Sequence, residues 1–463
     1  MCDNLSILPS LLEIGYKMFR KSLLSMINGN LFKRNKSIID VTCHPVLNRY
    51  AHMNSEKSET ANIDELNNET EKIKLTVKEK KRKLPRENEK QDLSEYLSDN
   101  LNPEIIHIFP SIFMKKGEDD RNLLYLIDKE AAVDFVSLII DDLSKDKSFI
   151  AELNPGIGML TTELLKAGIP LIHLYEEKKE FDSILDNLSN IYPGRLDRRR
   201  FNLLRINTLL YCDKITNKNE VQKVFQGVET KRWEDKCMQV IGATSTVKFI
   251  RHIMHSLLFR NSFMTYGRTV FYMAIPPVMW HKYTCDNKSN TIYTRIKVLF
   301  QLMFDYKLLG KLKRKAFLPW PGLKKRKRRT RETEILDETS YNEIFVVKFE
   351  PKVDIYSLLS QEDWIIFWYF VRHTTYRRTN RVIPQFEKWV PGSGVKIIAK
   401  CNHTIFTEFG DLTPAEFLKL FKEFQSWPEY KTSNFLDSMK DSLQMFDEPT
   451  VLKLSAKDDN IVN

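Results

Sequence analysis

Apolar positions set out a mixed architecture over the second two-thirds of the chain. Between Leu124 and Leu143 they recur at Leu126, Ala131, Val133, Phe135, Val136, Ile139 and Ile140, the spacing of a helix laid on a core. Phe149–Leu153 then reads as a short apolar strand, followed by Asn154-Pro155-Gly156-Ile157-Gly158. Thr161 or Thr162 is placed to cap a helix running to Ala167, with Gly168 as its stop, and Leu171–Tyr175 is a second strand. Strand, glycine loop, helix and strand in this order predict a βαβ unit and hence a parallel sheet. Cys237–Gly242, Thr269–Ile275 and Glu343–Phe349 read as further strands. Beyond them the pattern turns helical. Ser360 and Asp363 form a cap before the Trp364–Tyr376 face, and Thr413-Pro414-Ala415-Glu416 starts a helix with Phe417, Leu420, Phe421 and Phe424 on one side. The expected class is therefore α/β, with a smaller, mainly helical C-terminal domain.

The first hundred residues follow other rules. From Ile14 to Ile39 there is no acidic residue, while Lys17, Arg20, Lys21, Lys33, Arg34 and Lys36 alternate with Met18, Phe19, Leu23, Leu24, Met26 and Ile27. A basic, acid-free amphipathic start predicts a mitochondrial transit peptide over residues 1–40, cleaner still if initiation is at Met18. The alternative is a surface helix or nucleic-acid arm. Residues 54–100 hold twelve acidic and ten basic side chains and one aromatic, Tyr96. That composition buries too little apolar surface to offset its ordering entropy, so 41–100 is expected to be a flexible charged linker.

Composition narrows the classes. With 42% apolar residues, 28 Phe and 17 Tyr, the chain has ample material for a core, which excludes wholly disordered and collagenous readings. The most hydrophobic stretch, Trp364–Val371, is far short of the ~18 residues a membrane helix requires. Six cysteines without a C-x-x-C pair argue against a disulfide framework or zinc ribbon, and no metal site is expected. His252 and His255, spaced H-x-x-H, read as ordinary helix residues.

Charge is concentrated. Of 72 Lys and Arg, twelve lie between Lys307 and Arg331 without one acidic residue; the remaining 60 face 61 Asp and Glu. The formal charge of +11 thus describes one segment, and the rest of the chain is near neutral. Lys313, Arg314 and Lys315 stand near Trp320, followed by Lys324, Lys325, Arg326, Lys327, Arg328 and Arg329. Cations beside an aromatic suit neutralisation of phosphates with stacking on unpaired bases. A solvated loop and a nuclear-import signal match the same composition, the latter pointing to a nuclear RNA-binding protein. Arg377 and Arg378, at the end of an aromatic helix, are further candidates for phosphate contact.

The strongest local signal is Glu152-Leu153-Asn154-Pro155-Gly156-Ile157-Gly158. Glycines at a strand-to-helix turn allow backbone conformations and ligand approach that a Cβ would block. Glu176, ending the next strand, is placed to accept ribose hydroxyls of a nucleoside. A structural tight turn is the alternative. The third glycine of the dinucleotide fingerprint is absent, its position being Thr161. The loop is similar instead to motif I of S-adenosylmethionine (SAM) methyltransferases, with Asn154 where a glycine usually stands. Asn tolerates positive φ better than other side chains.

Tyr125-Leu126-Ile127-Asp128, the ELNPGIGMLT loop, Leu174-Tyr175-Glu176 and His373-Thr374-Thr375-Tyr376-Arg377-Arg378 occur in the order of the rRNA adenine N6-dimethyltransferases. The resemblance runs from about Leu124 to Phe386 and is to the mitochondrial branch of that family. It implies a Rossmann-like SAM-methyltransferase sheet over 101–305, a basic insertion at 306–340, a helical domain at 341–450 and a tail at 451–463. It further implies SAM held by Leu126, Gly156, Gly158 and Glu176, with Asn207 where the family has an acid facing the adenine. Active members carry Asn-Leu-Pro-Tyr or Asn-Leu-Pro-Phe after the fourth strand, which orients the target amine and stacks on the flipped base. Here Val240-Ile241-Gly242-Ala243-Thr244-Ser245-Thr246 has no Asn, Pro or aromatic. Two functions are consistent with this. In one the chain is a mitochondrial transcription initiation factor in the matrix nucleoid, working with mitochondrial RNA polymerase on promoter DNA. In the other it remains a SAM-dependent dimethylase of small-subunit rRNA.

Overall fold

The computed structural model describes residues 108–109, 123–216, 218–285, 295–319 and 342–444. The proposed transit peptide, the charged linker, Trp320, Lys324–Arg329 and the C-terminal tail lie outside the described residues.

Nine strands and fourteen helices are described among them. The strands are β1 Tyr125–Leu126, β2 Phe149–Leu153, β3 Ile172–Tyr175, β4 Leu196–Arg199, β5 Lys236–Ala243, β6 Arg268–Ile275, β7 Phe304–Lys313, β8 Phe317–Leu318 and β9 Glu343–Pro351. Seven of them form one sheet in the order β4-β3-β2-β5-β6-β9-β7. Strands β4, β3, β2, β5 and β6 run parallel, and β9 is antiparallel to both its neighbours, β6 and β7. The chain order reverses at β2, so the crevice at its carboxyl end is the topological switch point at which open α/β sheets bind ligands. This is a Rossmann-like α/β sheet, followed by a helical C-terminal region.

In the sheet domain the helices are α1 Lys129–Leu143, α2 Met159–Lys166, α3 Asp182–Ile191, α4 Ile206–Thr216, α5 Glu220–Val224, α6 Val247–Phe259, α7 Pro277–Thr284 and α8 Arg295–Met303. The C-terminal helices are α9 Ile355–Leu358, α10 Gln361–Thr374, α11 Val382–Trp389, α12 Ser393–Cys401, α13 Pro414–Gln425 and α14 Asn434–Gln444. The apolar run from Leu124 does not begin as a helix. Tyr125 and Leu126 pair with Leu318 and Phe317 as a separate two-stranded sheet, and α1 starts only after Asp128, whose carboxylate accepts from the Ala131 N–H.

The boundary expected near residue 305 also moves. β7 is the outermost strand and β9 inserts between it and β6, so the sheet continues to Pro351. The basic residues Lys307, Lys311 and Lys313 therefore lie on an edge strand rather than in an insertion. Lysines there also discourage pairing with another strand's exposed backbone.

Large aromatic rings fill the helical region. Phe370 meets Phe386, Trp389, Phe421 and Phe435 at centroid distances of 6.0, 5.8, 5.4 and 6.0 Å. Ser360 caps α10 by accepting from the Asp363 N–H, and Thr413 with Glu416 closes a capping box on α13. Phe417, Leu420, Phe421 and Phe424 are all buried. The apolar core is continuous with that around α6 and α8, so the helices are seated on the sheet domain's own packing.

Candidate functional site

Backbone conformation builds the crevice first. Asn154, Gly156 and Gly158 all have positive φ, at 52°, 58° and 74°. An added Cβ on Gly156 would stand 2.6 Å from Cδ1 of Tyr125, so this glycine serves a close approach as well as a turn. Gly158, not Thr161 or Thr162, is the residue before the first turn of α2. The Thr161 hydroxyl is used elsewhere, donating to Glu152 at 2.7 Å.

Two carboxyl groups are buried below the loop. Glu176 directly follows β3 and is 6% exposed; one oxygen accepts from the Gly156 N–H at 3.2 Å and the other from the Lys178 N–H at 3.0 Å. Burial pushes its pKa up to about 7 against the opposing effect of those amides. Glu152, 1% exposed, is pushed up to about 8, first by burial and further by the nearby Glu176, with the Thr161 hydroxyl acting against both. The side-chain amide nitrogen of Asn154 is buried with no hydrogen-bond partner among the described residues. The loop thus offers acceptors with remaining lone pairs on Glu176 and an unused donor on Asn154.

Leu126 is buried on β1, beside the Tyr125 ring that rests on Gly156. Asn207 lies within α4, half-buried and eight residues beyond the end of β4. Asn202 instead stands just past the carboxyl end of β4, next to β3. It is 5% exposed and its carbonyl oxygen accepts from the Leu204 N–H at 3.0 Å. Asn202 is thus the amide nearest the carboxyl end of β4, while Asn207 lies further on, within α4. Counting from the strand end, as for Glu176, would have found Asn202 had the Leu-Asp-Arg-Arg strand been apolar enough to recognise.

The turn after β5 is built differently. Leu153 of β2 pairs with Gly242 of β5, and a Cβ on Gly242 would lie 2.7 Å from the Leu153 carbonyl oxygen. Thr244 is fully buried; its N–H donates to the Ala274 carbonyl at 3.0 Å, and it bridges Leu123 in antiparallel fashion. Its hydroxyl accepts from the Thr246 N–H at 3.2 Å, while Thr246 caps α6. Thr244 and Thr246 thus make backbone and capping contacts here. The turn presents neither an amide side chain nor a ring to the crevice.

The basic candidates separate. Lys313 and Lys315 are exposed, but Arg314 is 9% exposed and donates to the carbonyls of Phe317 and Pro319 at 2.6 and 2.7 Å. Arg314 is thus a structural clamp on the β7–β8 turn, and the expectation that it meets phosphate is corrected. Arg377 is exposed; Arg378 is half-buried, with its side chain packed on Gly410. His252 is buried and shares a hydrogen bond with the Ser262 hydroxyl at 3.0 Å; burial drives its pKa down to about 3. His255 meets the Trp368 ring edge-on at 5.6 Å. No group of three or more His, Cys, Asp or Glu that could hold a metal occurs among the described residues. No described helix is long and apolar enough to cross a membrane.

No protein-family model matches the chain. It resembles dimethyladenosine transferase 2, mitochondrial, of several species. The Drosophila melanogaster protein is 29% identical over 377 residues, spanning 72% of this chain and 83% of that protein. The Bos taurus protein is 24% identical over 299 residues, 61% of this chain and 72% of that protein. Among solved structures, the 23S rRNA methyltransferase ErmE aligns with a TM-score of 0.41 and 13% identity, covering 65% of this chain and 98% of that one. A dimethyladenosine transferase from Plasmodium falciparum aligns with a TM-score of 0.41 and 12% identity, covering 65% and 97%.

Proposed function

We propose that this chain is a mitochondrial transcription initiation factor on a methyltransferase scaffold, helping mitochondrial RNA polymerase to melt promoter DNA and begin synthesis. The observation that carries the reading is the turn after β5. Transfer to an adenine amine needs groups that hold the nitrogen in line and a ring to stack on the base. Thr244 is instead buried and bridged to Leu123, and Gly242 leaves no space for a side chain against Leu153. Mitochondrial placement is supported by the names of the relatives and by the basic, acid-free start of the sequence. Exposed Lys313 and Lys315 and the run Lys324–Arg329, beside Trp320, are proposed to meet the DNA backbone, with Arg377 and Arg378 as further contacts.

The crevice fits SAM in part. Leu126, Gly156, Gly158, Glu176 and Asn202 would hold it, Glu176 through its remaining lone pairs and Asn154 through its unused donor. The cofactor supplies an electrophilic methyl group when bound. The second reading, a dimethylase of small-subunit rRNA, is supported by the crevice itself, where Glu176 accepts from the Gly156 N–H and the Asn154 amide has an unused donor.

Run-off transcription on linear and pre-melted promoters separates the two. The first reading predicts that mitochondrial RNA polymerase needs this chain on linear templates and much less on pre-melted ones. Equal initiation by polymerase alone on both templates would refute it.

A further inference from the structure

An open groove of about 600 Å³ lies on the helical region, away from the carboxyl edge of the sheet. It is lined by Leu302 at the end of α8, Lys352 after β9, Leu358 of α9, and Ala415, Leu418, Lys419, Lys422 and Glu423 of α13. Leu302, Leu358, Ala415 and Leu418 give it an apolar floor. Leu358 and Leu418 are only partly buried against the core, so part of their apolar surface stays in water.

The rim is cationic. Lys352, Lys419 and Lys422 form no ion pair among the described residues, and these three cations face a single lining acid, Glu423, which Lys419 helps to hold in its charged form. The one lining acid, Glu423, is already engaged. It accepts from Lys400 and from the Trp427 indole at 2.7 and 2.9 Å, and these bonds hold its carboxyl below the usual range. Glu416, on the same helix, closes the capping box with Thr413.

We propose that this groove receives an acidic amphipathic helix of a protein partner. Ala415, Leu418 and Lys422 lie at helical spacing along α13, giving about two turns, roughly 10 Å, of groove length. That length accepts two or three apolar side chains at i, i+3 or i+4, and i+7, the spacing of helix-in-groove recognition. Three lysines against one glutamate that already accepts from Lys400 leave the rim net positive, which calls for Glu and Asp flanking those anchors. Single-stranded nucleic acid fits less well, since no lining residue is aromatic and unpaired bases need rings on which to stack. The groove lies on a different face from the crevice and takes a different ligand, so it stands apart from the transcription reading.

The test uses the full chain and a fluorescein-labelled helical peptide with Leu anchors at i, i+4 and i+7 and Glu elsewhere, against a control with Lys for Glu. Fluorescence anisotropy is expected to show saturable binding of the acidic peptide alone, weakening as salt rises. The double variant Lys419→Glu, Lys422→Glu should lower affinity about tenfold or more without changing the unfolding midpoint, since neither lysine is buried. Leu418→Gln should weaken binding with little change in salt dependence. Failure of both peptides to bind, equal binding of both, or unchanged affinity in the double variant would overturn the proposal. So would displacement of the peptide by oligo(dT), which would assign the groove to nucleic acid. Self-association abolished by the double variant in sedimentation velocity would likewise reassign the groove, to a second copy of the chain.

Discussion

The loop after β2 and the turn after β5 sit at the same edge of the sheet, joined by the pairing of Leu153 with Gly242, yet they are built for opposite ends. The first holds three alternate residues at positive φ, two buried carboxyl groups and an amide donor without a partner. The second has its threonines committed to a bridge, a strand hydrogen bond and a helix cap. Strain and unsatisfied polarity collect where a ligand is to be met; satisfied polarity marks structure. On the proposed reading, the contrast separates recognition of a nucleoside from the chemistry that would follow it.

The largest effect should come from Gly156→Val. It places a branched side chain at φ 58° against the Tyr125 ring, and we expect a loss of about 2–4 kcal/mol in urea unfolding. Gly242→Asn, which puts a side chain near the end of β5, should cost a comparable amount, because the obstructing Leu153 oxygen is backbone. It should not gain methyl transfer. A stable, active Gly242→Asn variant would erase the distinction between the two turns.

A smaller effect probes the carboxyls. Glu152 and Glu176 have folded pKa values raised from 4.5 to about 8 and about 7. Raised acids stabilise the fold fully below pH ~4.5, and that contribution is lost as pH rises through about 7 to 8. Glu152→Gln should therefore flatten the stability profile over this window and make the protein about 1–3 kcal/mol more stable at pH 9 than the wild type. Unfolding midpoints between pH 5 and pH 9 measure it; parallel curves would mean that Glu152 ionises without cost.

Arg314 and its neighbours give the third contrast. Arg314→Ala leaves the carbonyls of Phe317 and Pro319 without their donor and should cost about 1–2 kcal/mol, with no change in DNA affinity. Lys313→Ala with Lys315→Ala should leave stability within about 0.5 kcal/mol. The same pair should lower the salt slope of DNA binding by about one for each phosphate no longer neutralised. The reverse assignment would undo the separation of clamp from interface.

What the sequence made legible follows from the range of the interactions. The βαβ unit, Gly156, Gly158 and Glu176 are visible because strand, loop and helix are adjacent in sequence and each carries its own period. The caps before α10 and α13 are local for the same reason. The β1–β8 pair is not, since two-residue strands almost two hundred residues apart leave no periodic trace. Edge strand β7 was hidden by its lysines, which read as a solvated segment, and β4 by its Leu-Asp-Arg-Arg composition. Without β4 in view, the end of that strand, where Asn202 stands, could not be counted from. Arg314 escaped because charge counting treats every arginine as solvated, whereas a guanidinium fork satisfied by carbonyls is at home in a buried turn.

The proposed separation of nucleoside recognition from transfer is tested most directly by tritiated methyl incorporation from SAM into a small-subunit rRNA hairpin, comparing the wild type with Glu176→Ala. The expected result is incorporation no greater than that of the Glu176→Ala control. Robust incorporation that disappears in Glu176→Ala would contradict it, and would mean that the turn after β5 still supports catalysis.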